Sequence, residues 1–291
     1  MRALTLACIH PADMNLILQS PHDIPAHCLD HLTALARASR TEQVSNSTWR
    51  LRDAAAHDEI AGYCLTHQID CAFVPPQRQI SDFGLVVMDM DSTLINIECI
   101  DEIADMQGLK PQVAEITEAA MRGEIDFAES LTRRVALLAG LDETALQRVY
   151  DERLQLNPGA EIMLAELKRH SIKTLLVSGG FTFFTERLKQ RLGLDFAHSN
   201  TLEIIDGKLT GRVLGKIVDA QGKADWLNHV RNEFGLHPEQ VIAIGDGAND
   251  LKMMAAAGFG VAYHAKPVVR AQASYALNHV GLDGVLPLLG H

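Results

Sequence analysis

Gly84-Leu85-Val86-Val87-Met88-Asp89-Met90-Asp91-Ser92-Thr93-Leu94 is the stretch on which the fold turns. Residues 85–88 form a short apolar, β-branched run of the kind buried on both faces of a parallel sheet. The run stops at two carboxylates, Asp89 and Asp91, followed by the hydroxyls of Ser92 and Thr93. In open α/β sheets, ligands gather just outside the carboxyl ends of the strands, which is where these groups fall. Two carboxylates this close repel each other, so one is protonated or a cation lies between them. The plainer alternative is an acidic turn in which Ser92 or Thr93 caps the next helix. The rest of the chain decides between the two.

The pattern of buried strand followed by polar loop recurs twice. Residues 173–177 end in Ser178-Gly179-Gly180, and residues 241–244 end in Gly245-Asp246-Gly247-Ala248-Asn249-Asp250. If all three strands share one parallel sheet, their loops converge at one edge. Asp246 follows its strand as Asp89 does, so the two can hold a hard divalent cation through oxygen. Mg²⁺ is the expected ion, since it is bound by a few carboxylates together with phosphate and water. Asp250, four residues and one helical turn on, would bind the metal or orient its waters. The glycines after Ser178 let backbone amides approach an anion at the start of a helix, although an ordinary turn reads the same way. Lys223 stands just ahead of a helix expected over residues 224–234, where a cation faces the positive end of the dipole. A carboxylate and a bound phosphate would offset that cost; a solvated lysine is the alternative.

Between the first strand and its successor, about sixty residues read as helical, with helices expected over 98–108, 111–123, 126–138 and 142–154. That is too much chain for one crossover helix, so it reads as a cap inserted over the strand ends. On its third helix, Phe127, Leu131, Val135 and Leu138 make an apolar stripe, and Arg134 lies seven residues from Phe127, nearly on the same face. An arginine there either snorkels past the core or meets an anion from above the site. Residues 1–80 read as a separate α+β unit: a strand over 3–9, a helix over 27–38, a hairpin over 41–45 and 48–52, a helix over 55–67 and a strand over 69–74. This β-α-β-β-α-β order suggests a ferredoxin-like sandwich. The polar, proline-bearing residues 75–81 mark the boundary.

The 291 residues, 47% of them hydrophobic, suffice for two folded units. Asp and Glu number 37 against 26 Lys and Arg, a net charge of −11, which argues against nucleic acid or an anionic membrane as partner. Five cysteines without a C-x-x-C pair suggest reduced thiols in a cytosol, and the 13 histidines lack zinc-type spacing. No stretch approaches the roughly 18–20 apolar residues of a membrane span, and no signal peptide is apparent. A cytoplasmic protein is expected.

Taken in order, Asp89-Met90-Asp91-Ser92-Thr93, Ser178, Lys223 and Gly245-Asp246-Gly247-Ala248-Asn249-Asp250 resemble the four motifs of the haloacid dehalogenase-like phosphohydrolases. Asp91-Ser92-Thr93-Leu94-Ile95 with Glu98-Cys99-Ile100-Asp101-Glu102-Ile103-Ala104 resembles the phosphoserine phosphatase branch, as do residues 127–135, 177–181 and 222–225. The likeness spans residues 84–285, whereas residues 1–80 resemble ACT-like regulatory domains in topology alone. It implies a Rossmann-like parallel-sheet core with an inserted helical cap over about 96–157, preceded by the ACT-like unit, which would regulate or dimerise the protein.

It further implies that Asp89 is the nucleophile and Asp91 the general acid and base. Asp89, the Asp91 backbone carbonyl and Asp246 would bind Mg²⁺, supported by Asp250. Ser178, Gly179 and Lys223 would hold the phosphoryl oxygens with Asn249 nearby, while Arg134 takes a substrate carboxylate and Glu98 its ammonium. The implied reaction is hydrolysis of O-phospho-L-serine through an aspartyl-phosphate, the last step of serine biosynthesis. The alternative is hydrolysis or transfer of another small phosphomonoester, for example to homoserine.

Overall fold

The computed structural model describes residues 14–291, so the strand expected over 3–9 lies outside the described residues. The first of two sheets is antiparallel and comprises β1 (Met14–Gln19), β2 (Arg40–Ser45), β3 (Thr48–Ala54) and β4 (Asp70–Val74), in the order β2-β3-β1-β4. Helices Ala26–Leu35 and Asp58–Thr66 cover one face, which gives the β-α-β-β-α-β order expected from the sequence. Its first described strand is nevertheless Met14–Gln19, which the sequence reading does not include. Asn15 and Gln19 give that segment polar ends, yet both are buried, because β1 lies in the interior of the sheet. Leu16 and Leu18 pack under the two helices, while Ile17 points the other way, into the main core.

That second contact is tied down by Asp70. Its carboxylate accepts from the Asn278 amide (2.8 Å), the Asn278 side chain (3.1 Å), the His279 amide (2.9 Å) and the Val280 amide (3.1 Å). Gln19 adds a bond from Nε2 to the Gly284 carbonyl at 2.9 Å. Asp70→Ala leaves buried donors without a partner, so it is expected to cost about 3 kcal/mol in urea denaturation. A loss within experimental error would show that the two sheets are held by apolar packing alone.

The second sheet contains β5 (Leu85–Met88), β6 (Lys173–Phe181), β7 (Phe196–Ile205), β8 (Lys208–Leu214), β9 (Val241–Gly245), β10 (Phe259–Tyr263) and β11 (Tyr275–Leu277). The order is β11-β10-β9-β5-β6-β7-β8, parallel throughout except for β8. The central trio is in register: Leu85 pairs with Lys173 and Val241, and Met88 with Leu176 and Ile244. The three polar loops therefore leave the sheet side by side. β5 is buried on both faces, Val86 and Met88 in one apolar cluster and Leu85 and Val87 in the other.

Helices Cys99–Asp105, Lys110–Met121, Phe127–Ala136 and Thr144–Glu152 form the block between β5 and β6. A narrow neck joins this block to the core. Asn96 donates its amide to the Gln155 carbonyl, and Asn157 its amide to the Leu94 carbonyl, both at 3.0 Å. The Asn157 side chain also donates to the carbonyls of Thr93 (2.8 Å) and Ile95 (3.1 Å).

Two local expectations change. β6 runs on through Ser178-Gly179-Gly180 to Phe181, so these residues are extended rather than turning into the helix, which begins at Thr182. The helix expected from residue 224 begins at Ala220, because the Asp219 side chain caps it by accepting from the Gly222 amide at 2.8 Å. Lys223 thus sits within the first turn.

Candidate active site

Asp89 is placed by one further sheet bond, from its amide to the Ile244 carbonyl (3.0 Å). Its Oδ1 accepts from the Met90 amide at 2.7 Å. A wide turn follows, closed by Ile95 N donating to Met90 O at 3.0 Å. Inside it Ser92 takes the left-handed conformation (φ +56°), a backbone cost of about 1–3 kcal/mol of the kind found at functional sites. The turn folds the loop back over the sheet edge. Asp91 Oδ1 accepts from the Cys99 amide at 3.0 Å, the Ser92 hydroxyl donates to Glu98 Oε1 at 2.7 Å, and the Thr93 hydroxyl donates to Asp246 Oδ1 at 3.1 Å. Neither Thr93 nor the Cys99 amide is a site residue of the sequence reading; a backbone donor leaves no mark in sequence.

Lys223 is only 1% exposed, and its ammonium lies 2.7 Å from both Asp89 Oδ1 and Asp250 Oδ1. Those two carboxylates hold it protonated against burial and against the dipole of its own helix. Asp250 is fully buried and also accepts from the Gly247 amide at 3.0 Å. One lysine cannot neutralise all of these acids. Burial and the Asp250 charge push Asp89 well above the usual carboxylate range despite Lys223, and burial and Asp250 push Asp246 up to about 6. Oxygens of Asp89, Asp246 and Asp250 lie within 4.8 Å of one another. An all-oxygen set with excess negative charge fits a hard divalent cation.

Above this cluster is a cavity of about 550 Å³ between core and cap. The core contributes Asp89, Asp91, Ser178, Gly179, Asp246 and Asn249 to its lining; the helical block contributes Glu98, at the start of its first helix, with Phe127, Ser130, Leu131 and Arg134. Lys223 and Asp250 stand behind it, with the lysine directed at the acids rather than into the open space. Lys266, outside the sequence motifs, also reaches the lining.

Two glycines fit the floor closely. A Cβ on Gly179 would come within 2.7 Å of the Phe127 ring, and one on Gly180 within 2.8 Å of Asp91 Oδ2. The buried Ser178 hydroxyl accepts from the Gly180 amide at 2.8 Å. Burial raises Asp91, although the Cys99 amide works against this. Burial and the charge of Asp91 push Glu98 up to about 8, with the Ser92 hydroxyl pulling the other way. Arg134 is half-buried; burial lowers its proton affinity, and Asp101, Glu98 and Asp91 counter this.

A family model described as haloacid dehalogenase-like hydrolase matches residues 83–258. A second, described only as a domain of unknown function, matches residues 16–60. The phosphoserine phosphatase of Polaromonas sp. is 55% identical over 219 residues, covering 74% of this chain and 93% of that relative. Among solved structures, a probable phosphoserine phosphatase from Vibrio cholerae in unliganded form superposes with a TM-score of 0.84 at 40% identity, covering 96% of this chain and 87% of that one. A substrate-bound phosphoserine phosphatase complex gives 0.66 at 37% identity, covering 70% and 97%. Fold, clustered acids and these likenesses agree, and the chain belongs to the haloacid dehalogenase-like hydrolases, within the phosphoserine phosphatase family.

Proposed function

We propose that the protein hydrolyses O-phospho-L-serine to L-serine and phosphate in two steps through Asp89. The observation that carries this reading is the pairing of Asp89 and Asp91 beneath a cavity whose walls bear Glu98 and Arg134, one group for each charge of an amino acid. The Met90 amide and the Lys223 ammonium both fall on Asp89 Oδ1, which leaves Oδ2 as the attacking atom. As the bond between Oδ2 and phosphorus forms and the bond to the serine oxygen breaks, Asp91 donates its proton to that oxygen. Burial favours the protonated form of Asp91 and so suits it to this task.

In the second step Asp91 takes a proton from water, the water oxygen attacks phosphorus, and Asp89 is released with inorganic phosphate. Ser178 and the Gly179 amide bind the phosphoryl oxygens. Lys223 acts from behind, fixing Asp89 and Asp250. Mg²⁺, held by Asp89, the Asp91 carbonyl and Asp246 with Asp250 in support, would neutralise charge on the transferring group.

The decisive experiment is phosphate release from phosphoserine with and without a chelator. We expect the chelator to abolish it, and kcat/KM to exceed that for unrelated sugar phosphates by more than about tenfold. Chelator-resistant turnover would remove the metal, and equal rates across substrates would remove the specificity. Transfer to an acceptor such as homoserine would appear as a phosphorylated product in place of free phosphate.

Glu98 supplies a second check. With the carboxyl pushed up to about 8, it is largely protonated in the empty site at pH 7 and must lose its proton to meet an ammonium. KM for phosphoserine should therefore fall as pH rises through about 8, and Glu98→Gln should flatten that profile. A wild-type KM that is level from pH 6.5 to 9 would place the ammonium elsewhere.

The same reading makes the reaction the last step of serine biosynthesis in the cytoplasm. Residues 1–80 then form an ACT-like regulatory or dimerising unit ahead of a catalytic unit, 81–291. The ferredoxin-like order of the first sheet and the separate family match over 16–60 support that division.

A further inference from the structure

Among the described residues, three buried side-chain polar atoms have no hydrogen-bond partner: Asp101 Oδ1, Ser130 Oγ and His279 Nε2. Two of them belong with Arg134. Ser130 lies one helical turn before Arg134 on Phe127–Ala136, is 1% exposed, and lines the cavity. Asp101 lies in the first turn of Cys99–Asp105, beside Ile100, which lines the same cavity while Asp101 does not. Of the carboxylates that act on Arg134, Asp101 acts most strongly, ahead of Glu98 and Asp91. The guanidinium itself makes no ion pair within 4.0 Å among the described residues, and its single hydrogen bond, from Nε to the Ser130 carbonyl, is long at 3.4 Å.

The three groups together hold unspent bonding capacity: a hydroxyl donor, a planar fork of N–H donors, and a carboxylate acceptor. Leaving such atoms unmade in a buried place costs about 1–3 kcal/mol each, so a folded protein keeps them only where something else completes them. A small carboxylate fits this set. It offers two oxygens to the fork and the hydroxyl, which leaves the guanidinium's other edge free for Asp101. Glu98, also in the cavity wall, is the wrong charge for it and the right charge for an ammonium.

We propose, resting on the phosphoserine reading above, that Ser130 and Asp101 complete a carboxylate clamp around Arg134. The Ser130 hydroxyl donates to the substrate carboxylate, and Asp101 is a positioning residue that receives the far edge of the guanidinium and sets its plane. Selection for an α-amino acid then depends on a hydroxyl inside the apolar stripe of the cap helix as well as on the two charged groups.

The test uses the full chain with Ser130→Ala, Asp101→Asn and Asp101→Glu. The probes are phosphoserine, O-phosphoethanolamine (phosphoserine without its carboxylate) as a competitive inhibitor, and p-nitrophenyl phosphate as a substrate with neither amino-acid group. In Ser130→Ala and Asp101→Asn, KM for phosphoserine should rise roughly tenfold, the loss of a hydrogen bond to a charged group. The inhibition constant of phosphoethanolamine and kcat/KM for p-nitrophenyl phosphate should stay within about twofold, and Asp101→Glu should recover part of the KM. An unchanged KM for phosphoserine in either variant, or equal losses on all three probes, overturns the clamp. Should Asp101→Asn fail to fold, Ser130→Ala carries the test alone, since alanine is the best helix former. Wild-type protein that turns over p-nitrophenyl phosphate and ignores phosphoserine would overturn the functional reading itself, an outcome distinct from failure of the clamp.

Discussion

Asp89→Asn is expected to abolish turnover and to leave the protein folded. An amide oxygen still accepts from the Met90 amide, but the side chain no longer supplies an oxygen nucleophile to phosphorus, so kcat should fall by at least about a thousandfold. Stability should hold or rise. Burial and the neighbouring Asp250 make an ionised Asp89 costly in the folded state, which is the sense of its raised pKa, and a neutral side chain removes that cost. The measurement is steady-state phosphate release together with thermal unfolding at pH 7. Residual activity above about a thousandth of wild type would give the nucleophile's place to another group.

Lys223→Met is the second large effect, and it acts through stability as well as rate. The substitution keeps the apolar stem and removes the one ammonium between Asp89 and Asp250, each 2.7 Å away, so two buried carboxylates are left without it. Breaking a buried ion pair from one side costs about 3–5 kcal/mol. Urea denaturation in the presence of a chelator should show a loss of that size at pH 7. The sign with pH follows from Asp89: its folded pKa, already raised, climbs further without the lysine, so protonation relieves the variant and the gap to wild type narrows as pH falls toward 5. A loss below about 1 kcal/mol would mean that the acids are already neutral in the wild type.

Much of this was legible because the chemistry sits on the most strongly patterned elements. Buried runs such as Val86-Val87-Met88 and Ile242-Ala243-Ile244 announce parallel strands, and acids directly after them must emerge at one edge once the strands are neighbours. A spacing of seven residues returned Arg134 to the helix face of Phe127, but only the family resemblance, and not the spacing, put it over the site. β1 escaped because its polar ends, Asn15 and Gln19, are buried by the core next door, a tertiary fact that no local pattern carries. Lys223 stood out as a misplaced cation, yet whether its ammonium met a ligand or the acids depended on where Asp250 came to rest in space. The Cys99 amide has no signature at all. Ser130 had a faint one: a hydroxyl three residues after Phe127 on an otherwise apolar face.

The side chain of Asn157 grips the carbonyls of Thr93 and Ile95, so the stalk of the helical block is fastened to the strip of backbone that begins two residues beyond Asp91. The helical block and the loop that carries Asp91 are thus mounted on one shaft: neither can shift without straining the bonds that fix the other. If Asp91 is the proton donor of the proposed reaction, the seat of the cap and the aim of the acid share a single anchor.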